Sequence, residues 1–426
     1  MLENKETLLD GITFTALPDE RFKTTRLTVG MFLPLREETA AAYALLPVLL
    51  IRATKNTPNM IAMHRRLSNL YGGVVTAGVQ RLGDSQLLTI SIQCIDNRFA
   101  LQGEDIAEQA AQLLLEMLFC PHLEADGLFD EQEFEQEKRC LLERIAAHIN
   151  DKRSYAHAKA TELLAPHQPY SVAAVGTEET AKALTRESLT VAWKTMLQTA
   201  QMHWFYASSD NGDTVKAAIA RAFATVERQP VACDTVVATA TDTVREGSEE
   251  MAVAQAKLSL AFVVDAAEPQ TRTVMAARLM CALFGGTANS LLFRNVREKK
   301  SLCYYCRSTY DRIKGVMMVD SGVDIANVAV AKEAILEQLQ VMKDGAFTSE
   351  DLESARLRLK SEFSDKDNAQ GSKVYWWLGQ SNTPVQVSPD RAVEILESIT
   401  AQEVVAVANT VQLQSTFAVL PEGGAQ

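Results

Sequence analysis

The side chains that could bind a metal ion or carry redox chemistry are few and scattered in this sequence of 426 residues. Of its 6 histidines, no two are three or four residues apart, the spacing that places two imidazoles on one helical face. The 7 cysteines include one C-x-x-C motif, Cys303 and Cys306, without a second pair or a nearby histidine. An isolated motif of this kind favours two strand residues over a zinc or redox site. The other cysteines with apolar neighbours are predicted to be buried, reduced thiols: Cys94, Cys120, Cys140 and Cys281.

Composition and charge narrow the class of protein. The net charge is -12 and the isoelectric point about 5.2, which disfavours nucleic acid or an anionic membrane as the main partner. The N-terminus is polar and lacks the apolar segment of a secretory signal. The longest apolar run, near residues 43–51, is far shorter than the roughly 20 residues that span a bilayer. These features predict a cytoplasmic protein without a membrane segment.

The order of predicted elements occurs twice along the chain. A strand at 23–34 is followed by two helices, a hairpin, long helices and a second strand at 203–209. The second half repeats this order from a strand at 257–265 to a last strand at 416–421. We therefore predict an α+β fold with two tandem homologous domains, each a mostly antiparallel sheet packed with helices. Residues 1–228 form the first predicted domain, and residues 229–426 form the second.

Three segments resemble the pitrilysin/insulinase family of zinc peptidases, whose signature is H-x-x-E-H on a helix. The N-terminal block ends in LYGGVVTAGVQ, which resembles the Gly turn and strand after the family's metal helix. Residues 134–189 resemble its charged helices and the Pro-Tyr and Gly-Thr turns that follow them. The most specific segment, residues 283–305, resembles its second-domain motif with Gly-Gly, Arg-Glu and Leu-x-Tyr. The resemblance covers nearly the whole chain.

The resemblance also shows which residues stand at the family's zinc positions. Pro47 and Ile51 occupy the two histidine positions, and Leu50 occupies the position of the general base. Glu137 matches a family glutamate, but Arg144 stands seven residues later, where the third zinc ligand belongs. None of these replacements can bind zinc or accept a proton, and an arginine repels a cation. The resemblance thus implies no metal, no cofactor and no catalysis by the chain alone.

The second half keeps another functional element of the family. Family peptidases take an Arg and a Tyr from the C-terminal domain to bind the substrate carbonyl and the developing oxyanion. The pattern Arg-Glu-x-x-x-Leu-x-Tyr is present here from Arg297 to Tyr304 with its full spacing. The resemblance therefore implies that Arg297 and Tyr304 are substrate-binding residues.

Together these features predict a non-catalytic subunit of a heterodimeric zinc peptidase. Its partner would be a homologous subunit with H-x-x-E-H, and its substrate a peptide. One alternative is a zinc-less scaffold or peptide-binding protein without a proteolytic role, which would form a homodimer or bind another assembly. The other is an active metallopeptidase, which the replaced zinc positions disfavour. The chain is also similar to zinc-less bacterial subunits associated with modification of elongation factor P.

Overall fold

The computed structural model describes residues 4–422, which divide into two compact units. Unit 1 comprises the chain up to Ala146 together with Val172–Asp234 and Asn368–Asn382. Unit 2 comprises Ala147–Ser171, Thr235–Asp367 and the chain from Thr383 onward. Each unit therefore contains one segment from the other half of the sequence.

The strands of the described residues are, in chain order, β1 (Lys5–Leu9), β2 (Ile12–Pro18), β3 (Thr24–Pro34), β4 (Val74–Leu82), β5 (Ser85–Ile95), β6 (Gln201–Ser208), β7 (Arg245–Met251), β8 (Ala256–Val263), β9 (Cys303–Asp311), β10 (Val316–Val323) and β11 (Gln412–Pro421). The α-helices are α1 (Glu37–Leu50), α2 (Met60–Asn69), α3 (Ile106–Phe119), α4 (Glu131–Asn150), α5 (Lys152–Leu164), α6 (Glu178–Lys182), α7 (Arg186–Thr199), α8 (Asp213–Phe223), α9 (Thr271–Cys281), α10 (Val328–Lys343), α11 (Ser349–Ser364), α12 (Gln370–Leu378), α13 (Pro389–Ser398) and α14 (Ala401–Thr410).

Unit 1 is built on a six-stranded sheet in the order β1-β2-β6-β3-β5-β4, in which only β2 and β6 pair in parallel. The central strand β3 is buried along most of its length because helices cover both of its faces. On one of these faces α12 approaches closely at Gly30, where a Cβ atom would lie 2.3 Å from Leu378 Cδ1. Gln370 fixes the start of α12, since its amide donates to Ala207 O at 3.0 Å and accepts from Thr24 Oγ1 at 2.7 Å.

His203 lies buried in the unit 1 sheet as a neutral imidazole. Its Nε2–H donates to Asn382 Oδ1 at 2.8 Å, which leaves Nδ1 to accept from the Thr13 hydroxyl at 2.8 Å. The edge of the Phe32 ring also contacts it, with ring centroids 5.4 Å apart. Burial lowers the pKa of His203 to about 4, from an ordinary value of 6.5.

This shift makes the stability of unit 1 dependent on pH. Between pH 6.5 and pH 4 the imidazole of the unfolded chain takes up a proton that the folded chain refuses, so stability falls as the pH falls. We expect a loss of about 2 kcal/mol between pH 7 and pH 5. The 4 tryptophans all lie in unit 1, so denaturant titrations followed by tryptophan fluorescence measure this unit.

His203→Gln is expected to lose most of this pH dependence, whereas the exposed control His64→Gln keeps it. Most carboxylates titrate below pH 5, so they contribute little to the change in stability between pH 7 and pH 5. If the free energy of unfolding changed equally with pH in the wild type and in His203→Gln, the imidazole would not be buried in its neutral form.

Unit 2 is built on a five-stranded sheet in the order β7-β11-β8-β10-β9, in which only β7 and β11 pair in parallel. Helix α5 lies across one face, where Ala156 and Ala160 pack against Ala261, Met318 and Phe417. On β9, packing also comes from α9 and from two π-helical segments, Ala282–Gly286 and Leu292–Lys299. Two mostly antiparallel sheets packed with helices confirm the predicted fold class.

Strands β1, β2 and β7 were not predicted from the sequence. Strands β1 and β7 form the edges of their sheets and carry polar residues, so neither shows the apolar run of a buried strand. The prediction of buried cysteines was half right. Cys94 and Cys281 are buried, whereas Cys120 at the end of α3 and Cys140 on α4 are exposed. No helix within residues 4–422 is both long and apolar enough to cross a bilayer.

Candidate functional site

Helix α1 carries the residues at the family's zinc positions, and it is apolar on nearly all sides. Pro47 and Leu50 are buried within unit 1, and Ile51 caps the C-terminal end of the helix in a half-buried position. The helix packs against α6, α7 and the β4–β5 hairpin. A helix that is hydrophobic all round is a core element. These three side chains therefore contribute packing and offer no metal ligand.

An ion pair links the end of α1 to α4. Arg52 directly follows Ile51, and its guanidinium binds the Glu137 carboxylate. Arg52 Nε also lies 3.7 Å from Glu133 Oε1, one helical turn before Glu137. The Glu137 residue is only 8% exposed, so this contact neutralises a carboxylate that is largely removed from water.

Arg144 lies two turns beyond Glu137 on α4 and is exposed. The structure thus sets cationic side chains, Arg52 and Arg144, around the one glutamate of the family pattern that this chain retains. Within residues 4–422, no three His, Cys, Asp or Glu side chains converge in a way that could hold a metal ion.

Arg297 lies in unit 2 on the π-helical segment Leu292–Lys299. Its guanidinium stacks over the Phe293 ring at 4.6 Å from the centroid, and its Nε is 3.5 Å from Glu298 Oε1. The side chain remains 40% exposed. The π-helical segment and the aromatic support hold this cation at the surface.

Tyr304 lies at the start of β9, where the strand contains a bulge. Gly322 pairs with Tyr305 and Val323 with Cys303, so Tyr304 is an extra residue without a partner on β10. The bulge explains why Cys303 and Cys306 are both buried while Tyr304 is 53% exposed. The Tyr304 hydroxyl donates to Asp324 Oδ1 at 3.1 Å, and this bond raises the pKa of Tyr304.

A short, tight connection joins the segment carrying Arg297 to the strand carrying Tyr304. Leu302 N donates to Val296 O at 3.1 Å, which turns the chain back directly into β9. The interaction with the Cys306 thiol lowers the pKa of Cys303, and the charge of Arg297 adds to this effect. The Arg297 cation therefore lies near the start of β9, the strand end that carries Tyr304.

Three supporting residues of the candidate site were not predicted from the sequence. Phe293 is four residues before Arg297, a helical spacing that could have signalled the contact. Asp324 and Arg52 gave no signal, because each reaches its partner through the fold, across 20 residues for Asp324 and 85 for Arg52.

Comparison with known proteins relates the chain to one family. Residues 183–359 match the family model described as Peptidase M16 inactive domain. A protein of Bacillus subtilis (strain 168), the probable inactive metalloprotease YmfF, is 29% identical over 408 residues, which cover 96% of this chain and 95% of that protein. Both findings support the resemblance of this chain to the M16 family of metallopeptidase homologues. The word inactive describes that family model and that relative.

Solved structures agree with the M16 fold. A conserved protein from Enterococcus faecalis V583 superposes with a TM-score of 0.90 at 25% identity and covers 99% of both chains. A peptidase M16 inactive domain from Pseudomonas fluorescens superposes with a TM-score of 0.79 at 15% identity, again over 99% of both chains. The second match supports the fold alone.

Proposed function

We propose that this M16 homologue is the non-catalytic subunit of a heterodimeric zinc peptidase. It would bind a peptide substrate and supply Arg297 and Tyr304 to the active site of a zinc-containing partner. The observation that carries the proposal is the contrast between two sets of family residues. Those at the zinc positions are apolar core residues or arginine, whereas Arg297 and Tyr304 keep their spacing and are exposed.

The chemistry of the two exposed side chains fits this role. The Arg297 guanidinium offers several N–H donors in a fixed plane, and Phe293 restricts its orientation. The hydrogen bond to Asp324 raises the pKa of Tyr304, so the phenol keeps its proton. Its O–H would turn from Asp324 to an oxyanion when a substrate is bound. Preorganised donors of this kind stabilise the charge that develops on a peptide carbonyl during hydrolysis. Neither group can activate water, so the partner must supply the nucleophile.

The proposal is tested by purifying the chain alone and after co-expression with an H-x-x-E-H homologue from the same organism. Elemental analysis measures zinc, and light scattering measures mass against 46.8 kDa for this chain. We expect a one-to-one complex with one zinc ion, and cleavage of an unstructured peptide by the complex but not by either chain alone.

The matched control is a complex whose partner has its H-x-x-E-H glutamate replaced by Gln, which should assemble and remain inactive. Stoichiometric zinc in this chain alone would overturn the proposal. A chain that binds peptide but forms no complex and affects no peptidase would support the scaffold alternative instead.

A further inference from the structure

One end of the unit 2 sheet carries a group of cationic and aromatic side chains beside helix α5. We call it the Tyr305 cluster, formed by Arg153 of α5, Lys257 of β8 and Tyr305 of β9. The Arg153 guanidinium lies 4.7 Å from the centroid of the Tyr305 ring, and the Lys257 ammonium lies 5.9 Å from it. Two cations therefore converge on one aromatic ring in unit 2, whereas the residues at the family's zinc positions belong to unit 1.

A glycine fixes the position of the ring. Gly322 of β10 pairs with Tyr305 on one side and with Lys257 on the other, so the three residues form one row across the sheet. A Cβ atom on Gly322 would lie 2.5 Å from Tyr305 Cε1, which shows that the ring lies directly on the glycine. The phenol is thereby held over β10, with Arg153 above it.

Two donors of the cluster have no acceptor among the described residues. Arg153 Nη2 and Tyr305 Oη are both shielded from solvent, and neither makes a hydrogen bond within residues 4–422. Neither Arg153 nor Lys257 forms an ion pair with any residue between 4 and 422. A buried donor without an acceptor costs free energy, more so when it is charged. Burial also raises the pKa of Tyr305 to about 12, so its oxygen keeps the proton that could be donated.

The neighbouring carboxylates are already engaged by other groups. Asp320 accepts from Ser259 Oγ at 2.7 Å and from His157 Nδ1 at 3.1 Å. Asp151 caps α5, accepting from Ser154 Oγ at 2.6 Å and from the Arg153 backbone at 3.2 Å. These contacts hold both carboxylates in other hydrogen bonds, so the acceptor that Arg153 and Tyr305 lack has to come from outside the described residues.

We infer that the Tyr305 cluster binds a small oxyanion, a carboxylate or a phosphate group. Its oxygens would accept from Arg153 Nη2 and Tyr305 Oη, and the Lys257 ammonium would add favourable charge. Charge-assisted hydrogen bonds from Arg and a neighbouring phenol are the usual means of holding such a group. Arg153 and Lys257 are half-buried, so movement of these long side chains opens a route to solvent.

The experiment is isothermal titration calorimetry of the full chain with inorganic phosphate and, separately, with acetate, at constant ionic strength. We expect saturable binding of one anion per chain, and the preferred anion identifies which source of oxyanion the cluster accepts. Arg153→Gln is expected to weaken binding by at least about 10-fold, and Tyr305→Phe by about 10-fold. Arg65→Gln, which removes an exposed arginine of α2, is expected to bind as the wild type does.

Tyr305→Phe is expected to stay folded, because it removes a single oxygen and keeps the ring on Gly322. Weaker binding in this variant therefore reports the loss of the phenol oxygen. The inference is overturned if neither anion binds saturably to the wild-type chain. It is equally overturned if Arg153→Gln and Tyr305→Phe both bind with unchanged affinity. Neither outcome depends on whether the chain assembles with a peptidase partner.

Discussion

Tyr304→Phe, in the chain reconstituted with its zinc-containing partner, is expected to lower kcat for peptide cleavage by about 100-fold to 1000-fold. The substitution removes the single O–H that would stabilise the oxyanion and leaves the exposed ring in place. Because that donor acts mainly on the transition state, KM should change little. Arg297→Ala should lower kcat/KM to a similar extent and also raise KM, since a guanidinium that holds the substrate carbonyl contributes to binding as well. Steady-state kinetics with a fluorogenic peptide measures both effects.

Two matched variants separate a role in the site from a general effect. Tyr375→Phe alters another partly exposed tyrosine, 41% exposed in unit 1, and Arg221→Ala removes an exposed arginine of α8. Both should leave kcat and KM of the complex unchanged. The assignment of Arg297 and Tyr304 fails if a correctly assembled complex keeps full activity with Tyr304→Phe and Arg297→Ala.

Arg52→Ala is expected to lower the free energy of unfolding of unit 1 by about 3 kcal/mol at pH 7. The substitution leaves the Glu137 carboxylate largely buried without its cation, close to a second carboxylate on Glu133. Urea titration followed by tryptophan fluorescence reports this unit specifically.

The double variant Arg52→Met/Glu137→Leu tests the cause of that loss. It removes both charges together and fills the space with apolar groups, so it should recover most of the lost stability. Lys182→Ala is the surface control, because Lys182 and Glu178 form an ion pair that is 63% and 59% exposed. We expect it to change stability by less than about 0.5 kcal/mol. If Arg52→Ala lowered the free energy of unfolding as little as Lys182→Ala does, the ion pair between α1 and α4 would contribute nothing to stability.

The sequence by itself determined the elements that bury apolar surface. Strands such as β3 and β5 carry long buried runs, and the paired hairpins have turn residues between alternating segments, so their patterns were readable without the fold. The duplicated order of these elements predicted the fold class, and the M16-like motifs carried the resemblance to the family. The spacing of Arg297 and Tyr304 was equally readable, since it lies within one short segment.

Only the tertiary structure decided which helix covers which sheet. Helix α5 precedes the second predicted domain in sequence, yet its alanines pack on the unit 2 sheet, and α12 packs on β3 of unit 1. Each of these helices buries only a few side chains. Their sequence does not state which sheet they cover, because that depends on partners far along the chain.

The tertiary structure also decided the surroundings of the candidate site residues. The bulge that exposes Tyr304 arises from pairing with β10, and a regular strand would have placed Tyr304 on the same face as Cys306. The ion pair of Arg52 with Glu137 and the hydrogen bond of Tyr304 with Asp324 likewise join residues distant in sequence. Candidate side chains can be recognised from local sequence patterns. Their hydrogen-bond and ion-pair partners are determined by the packing of whole elements.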